Sequence, residues 1–134
     1  MRFDMLAVLN GKLIVVEIKY GLGAVSGKAG LAKHYEDICA VMGNPELYDE
    51  LVSSVVNISN AKTQLGVSEF LIEKKDIGSS EVLFLLADYN LKSEAVKNEA
   101  AKMTYAMPAR ILLFGKDDYH IDWDKTEDLF AYGS

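Results

Sequence analysis

The dipeptide Asn10-Gly11 constrains this chain more than any other feature, because it lies between two apolar runs, residues 3–9 and 12–20. Asn-Gly is the pair that most readily adopts the two positive φ angles of a type I′ turn, so the stretch is predicted to be a β-hairpin. A two-residue turn also sets the register. Leu9 then stands opposite Lys12, Val8 opposite Leu13, Leu6 opposite Val15, and Asp4 opposite Glu17. Directly opposed residues share a face, with Cβ atoms about 4.5–5.5 Å apart, and like charges placed so repel. Period-2 alternation puts Lys19 on the same face, beside Arg2 of the facing strand. The rest of that face is apolar (Leu6, Val8, Leu13, Val15), and so is the other (Met5, Ala7, Ile14, Val16, Ile18). The hairpin is therefore expected to be covered on both sides, with its charged end half-buried.

Two carboxylates in a partly dry pocket suit a hard divalent cation such as Mg²⁺ or Mn²⁺, which takes oxygen ligands and is completed by water and substrate phosphate. A neighbouring lysine can orient the attacking water or neutralise charge developing on the phosphate. Asp4, Glu17 and Lys19 together make a phosphodiesterase set. The same spacing also fits an ordinary strand-end ion cluster, in which exposed pairs contribute about 0–1 kcal/mol.

Asp4, a hairpin and then Glu17-Ile18-Lys19 resembles the core of the PD-(D/E)XK nuclease superfamily, the restriction-endonuclease-like fold. The resemblance implies that Asp4 and Glu17, with the carbonyl of Ile18, hold Mg²⁺ or Mn²⁺, and that Asp4, Glu17 and Lys19 are the catalytic residues. It implies a metal-dependent nuclease acting on nucleic acid, with DNA the expected substrate. Phe3 stands where the family's eponymous proline would be. The family also begins with a helix, whereas only three residues precede Asp4 here, which implies either a shortened variant or a homodimer or partner that supplies that element. A fold that keeps the scaffold without catalysis, as a binding module or a subunit of a larger assembly, is the alternative.

Composition narrows the class. The chain has 134 residues, half of them hydrophobic and a quarter charged, as in globular domains. No apolar run approaches the ~18 residues of a membrane span. The first twenty residues lack the plan of a signal peptide. A single cysteine, Cys39, excludes an intrachain disulfide, and a cytoplasmic protein is expected. Net charge is −6, against the basic balance that phosphate binding favours. Most of that charge is local: from Asp117 onward the chain is −5, leaving −1 over residues 1–116. Residues 1–116 are taken as one α/β domain and 117–134 as an acidic edge strand and tail. Arg2, Lys19, Lys28 and Lys33 could still form a basic lip.

Residues 21–28 (GLGAVSGK) invite a phosphate-loop reading, but Leu22 stands where the first glycine should be and Ala29 where a Ser or Thr should follow the lysine. The stretch reads as a turn with Ser26 as helix N-cap. A helix over 28–42 follows, with Leu31, Tyr35, Ile38 and Met42 inward and Cys39 a small buried hydrophobe. Lys28, His34 and Tyr35 border the site as nucleic-acid contacts, or else are solvated (Lys28, His34) and core (Tyr35). A second helix over 45–65 opens on Pro45 with Leu47, Leu51, Val55 and Ile58 as its apolar face. Residues 67–72 are ambiguous between helix and strand. Residues 81–89 form an apolar central strand buried on both faces, with Asp88 either an extra acid or a turn residue. Residues 93–107 read as a helix capped by Ser93, and 109–114 as a strand. Residues 119–123 alternate well enough for an edge strand, in which His120, Asp122 and Asp124 make either a metal cluster or a polar outer face. This order predicts a mixed central β-sheet, begun by a hairpin and flanked by helices on both faces.

Overall fold

The computed structural model describes residues 3–20, 30–66, 72–87, 94–114 and 121–133. Asn10 and Gly11 have φ of 50° and 78°, as the type I′ turn requires. They join β1 (Met5–Leu9) to β2 (Lys12–Tyr20). The antiparallel register runs from Leu9 opposite Lys12 to Met5 opposite Val16, which is the predicted one. The turn is tied down as well, since the carbonyl of Gly11 accepts from the Gly78 N–H at 2.8 Å.

Helix α1 (Leu31–Met42) begins at Gly30, and its buried side chains are Leu31, Tyr35 and Ile38. Each such side chain contributes about 1.5–3 kcal/mol by leaving water. The proposed cap Ser26 and the residue Lys28 lie outside the described residues. Asn44 then caps α2 (Pro45–Gln64), its side chain accepting from the N–H groups of Glu46 and Leu47. Gly66, at φ 76°, marks the end of the helix. The face of α2 is only in part the expected one, with Leu51 and Val55 packed against the core. Val52 and Val56 are buried, whereas Leu47 is 44% and Ile58 58% exposed. The apolar arc of α2 is wider than the contact it makes, so periodicity located the arc but not which half is used.

Of residues 67–72, only Ile72 is described, and it lies in neither helix nor strand; both its backbone groups are held by the Asn60 amide. β3 (Ser79–Ala87) is buried over nearly its whole length, as a central strand should be. Helix α3 (Glu94–Lys102) stops short of the expected Met107. The reason is tertiary: the Tyr105 hydroxyl donates to the Ala100 carbonyl, and the Met107 N–H donates to the Tyr35 hydroxyl, which replaces helical bonds over 103–107. Ser93 and Asp88 lie outside the described residues. β4 (Ala109–Phe114) coincides with the predicted strand.

The expected edge strand at 119–123 is corrected as far as it is described. Residues 121–122 are not strand; Asp122 instead caps a 3₁₀ turn, Trp123–Lys125, by accepting from the Asp124 N–H at 3.1 Å. The edge strand is β5 (Glu127–Asp128), followed by α4 (Leu129–Gly133). Arg110 of β4 anchors this segment, donating from its guanidinium to the hydroxyl and carbonyl of Thr126. Leu129 is fully buried, so the acidic tail folds back onto the core instead of ending in solvent.

The result is an α/β fold with a five-stranded mixed sheet of order β1-β2-β3-β4-β5. β2, β3 and β4 run parallel, and β1 and β5 are antiparallel to their neighbours. One face presents Val15, Val82, Phe84, Leu86 and Ile111 to α1, α3 and α4, and Leu13 to α2. The opposite face presents Ile14, Val16, Leu83, Leu85 and Leu112, against which Trp123 packs with the Arg110 guanidinium 5.4 Å from its ring centroid. Among the described residues, then, the α-helices lie on one face, not both. Strands that are apolar on both sides announce that both are covered, not by what. No described helix is long and apolar enough to cross a membrane.

Candidate functional site

Five of the sequence-derived site residues, Asp4, Glu17, Ile18, Lys19 and His34, meet at the C-terminal end of β2, where open sheets with parallel strands commonly place their ligands. Asp4 lies just before β1, and its Oδ2 accepts from the Ile18 N–H at 2.9 Å, so the carboxylate continues the ladder where the strand stops. The N–H and C=O of a strand residue point to the same side. The Ile18 carbonyl is therefore directed out past the start of β1, towards Asp4.

Glu17 is only 4% exposed. Burial, and then the charge of Asp4, push its carboxyl above the ordinary value near 4.5; a contact with His34 pulls the other way. His34, from the first turn of α1, places Nδ1 3.4 Å from Glu17 Oε2. Lys19 is 7% exposed, with Nζ 3.2 and 3.3 Å from the two ring nitrogens of His34. The ammonium thus sits against the ring without singling out one nitrogen. Burial lowers the pKa of Lys19, while Glu17 and Asp4 resist that shift. Like charges are packed together here, one acid is held towards its neutral form, and one base is held towards its own.

The donor set is made of hard oxygens: the carboxylates of Asp4 and Glu17 and the Ile18 carbonyl. It fits a Mg²⁺-type cation bound by two carboxylates and completed by water and phosphate oxygens. Such an ion would also relieve the Asp4–Glu17 repulsion. Among the described residues there is no group of three or more His, Cys, Asp or Glu side chains arranged to hold a metal, so two acids are what the site offers.

The other sequence-derived residues fall elsewhere. Tyr35 points into the core: it is 2% exposed, and its hydroxyl donates to the Met107 carbonyl and accepts from the Met107 N–H. Its place as a nucleic-acid contact is corrected on that ground, and burial pushes its phenol up to about 12. Arg2 and Lys28 lie outside the described residues, as does His120, while Asp122 and Asp124 are engaged in the 3₁₀ turn. Cys39 is a free, half-buried thiol whose pKa burial raises, the behaviour of a small hydrophobe.

His34 is the residue whose position sequence reasoning understated. The sequence puts it at the border of the site as a nucleic-acid contact, and in the fold it sits between Glu17 and Lys19. Its proximity to β2 in sequence was a signal, but which helical angle faces the strand end depends on how α1 docks. No protein-family model, no curated protein and no solved structure matches this chain.

Proposed function

We propose that this chain is a metal-dependent phosphodiesterase domain of the restriction-endonuclease-like kind, acting on nucleic acid, with DNA as its substrate and the cytoplasm as its place. The observation that carries the reading is the buried Glu17 beside Asp4, on the same strand and face as Lys19. A protein that needed only stability would not gather two acids and then hide one of them.

When bound, a divalent cation supplies charge neutralisation at the phosphate and at the two carboxylates. Asp4 and Glu17 would hold it, their oxygens turned to one cation. Lys19 Nζ orients the attacking water and offsets negative charge developing on the phosphate. His34 restrains Lys19 from the helix side, and its own side chain, 31% exposed, faces the open side of the site. A second reading, an interaction module without catalysis, is favoured by one specific contact. Asp4 already satisfies an N–H of the sheet, which is a structural task.

Calorimetric titration of Mn²⁺ and Mg²⁺ into the wild type and Glu17→Ala, followed by a nicking assay on plasmid and single-stranded DNA, separates the two readings. Metal binding that is lost in the variant, with metal-dependent nicking by the wild type, is the expected result. Absence of binding in both proteins would overturn the nuclease reading and leave the interaction module.

A further inference from the structure

The two edges of the sheet are finished differently. β5 is two residues long and both are acids, which discourages a further strand. β1 is five residues, MLAVL, with no charge, no proline and no bulge. In a two-residue hairpin the closing pair is hydrogen-bonded, so Met5, Ala7 and Leu9 bond to β2 while Leu6 and Val8 direct their N–H and C=O groups outward. Among the described residues no backbone bond outside the β1–β2 ladder involves them.

Beside this edge runs the part of α2 that the core leaves unused. Leu47 and Ile58 lie on one line of the helix, and both are exposed. Between α2 and β1 is a groove of about 620 Å³, lined by Leu6, Val8, Val55 and Ile58, with Lys62 and Asp76 at its margins. Among the described residues nothing guards this edge, and a strand edge next to an apolar groove is a template for an added strand.

We propose that this edge docks a second copy of the chain, β1 against β1 in antiparallel fashion, about a two-fold axis at Ala7. In that register each Leu6 stands opposite the partner's Val8, and these are the residues whose backbone groups point outward. The pairing closes about four N–H···O bonds. Ala7 meets its own copy in the non-hydrogen-bonded position, where Cα atoms approach to about 4.5 Å and a small side chain is wanted. A register shifted by one residue would oppose groups already bonded to β2. β1 itself carries no charge, so the net charge of −6 per chain stays off the seam. The dimer does not depend on the metal reading, although its register sets the partner's turn at the level of Asp4.

Sedimentation velocity of the full chain, with hydrogen exchange on the same samples, tests this. The wild type is expected to dimerise, with the Leu6 and Val8 amides protected alongside those of Met5, Ala7 and Leu9. Ile58→Glu changes an exposed position, so the fold should persist while dimerisation weakens by about tenfold or more. In that variant the Leu6 and Val8 amides become fast and the other three stay slow. Val8→Pro, which deletes an outward N–H and leaves the β2 ladder intact, should also be monomeric. A wild type that is monomeric throughout overturns the proposal. So does a dimer that both variants leave unchanged, or one in which the Leu6 and Val8 amides exchange freely.

Discussion

The two ends of β2 carry buried charge in opposite styles. At the N-terminal end, Lys12 Nζ meets Glu81 Oε1 of β3 at 2.6 Å, one cation for one anion, with the carboxylate nearly buried and the ammonium partly in water. At the C-terminal end, Asp4 and Glu17 crowd each other, and both Glu17 and Lys19 are displaced towards their neutral forms. The first arrangement is balanced and the second is not. An unbalanced cluster persists only where the surrounding sheet holds it in place, and perturbed groups of this kind gather at functional sites.

The largest expected effect is on activity. Lys19→Met should lower metal-dependent cleavage by about 10²-fold or more, whereas Lys12→Met should leave the rate unchanged. If both lysines mattered equally, the distinction between the two ends would fail. Next comes the turn that sets the register. Gly11→Ala places a Cβ at a φ of 78° and 3.3 Å from the Asp76 carbonyl, and should cost about 1–2 kcal/mol in urea unfolding. Breaking the balanced pair is a smaller loss: Glu81→Ala should cost about 1 kcal/mol, because Lys12 can turn towards water.

The smallest effect has the opposite sign. Because the Glu17 carboxyl is raised in the fold, the folded chain holds more protons than the unfolded chain just above the ordinary value near 4.5. Stability therefore falls as pH rises across that window. In chelator, Glu17→Gln should be more stable than the wild type at pH 7, and the gain should vanish below the ordinary carboxylate value. Unfolding curves at the two pH values check this. Added Mn²⁺ should then raise the melting temperature of the wild type and not that of the variant. A Gln variant less stable at pH 7 would mean that Glu17 is a well-satisfied structural acid.

Much of this site was legible because it is local. Asn10-Gly11 dictates the turn, the turn dictates the register, and the register runs to Met5 opposite Val16, which leaves Asp4 and Glu17 as neighbours one step beyond; each step spans a few residues and follows from backbone geometry. The central strands were legible too, since a run such as Val82–Leu86 has no amphipathic alternative.

What only the tertiary structure decided is how the elements meet. Val52 and Val56, not Leu47 and Ile58, face the core, because docking selects half of an arc that periodicity leaves whole. Periodicity turns Tyr35 inward, but only the fold supplies its partner, the Met107 backbone, and brings its neighbour His34 to Glu17 and Lys19. The tail folds under Arg110 and Thr126 to bury Leu129, which its acidic composition did not announce. The physical reason is common to all three. Hydrogen-bonded turns and strand alternation are settled by neighbours along the chain, whereas the choice among apolar faces and polar partners depends on residues tens of positions away.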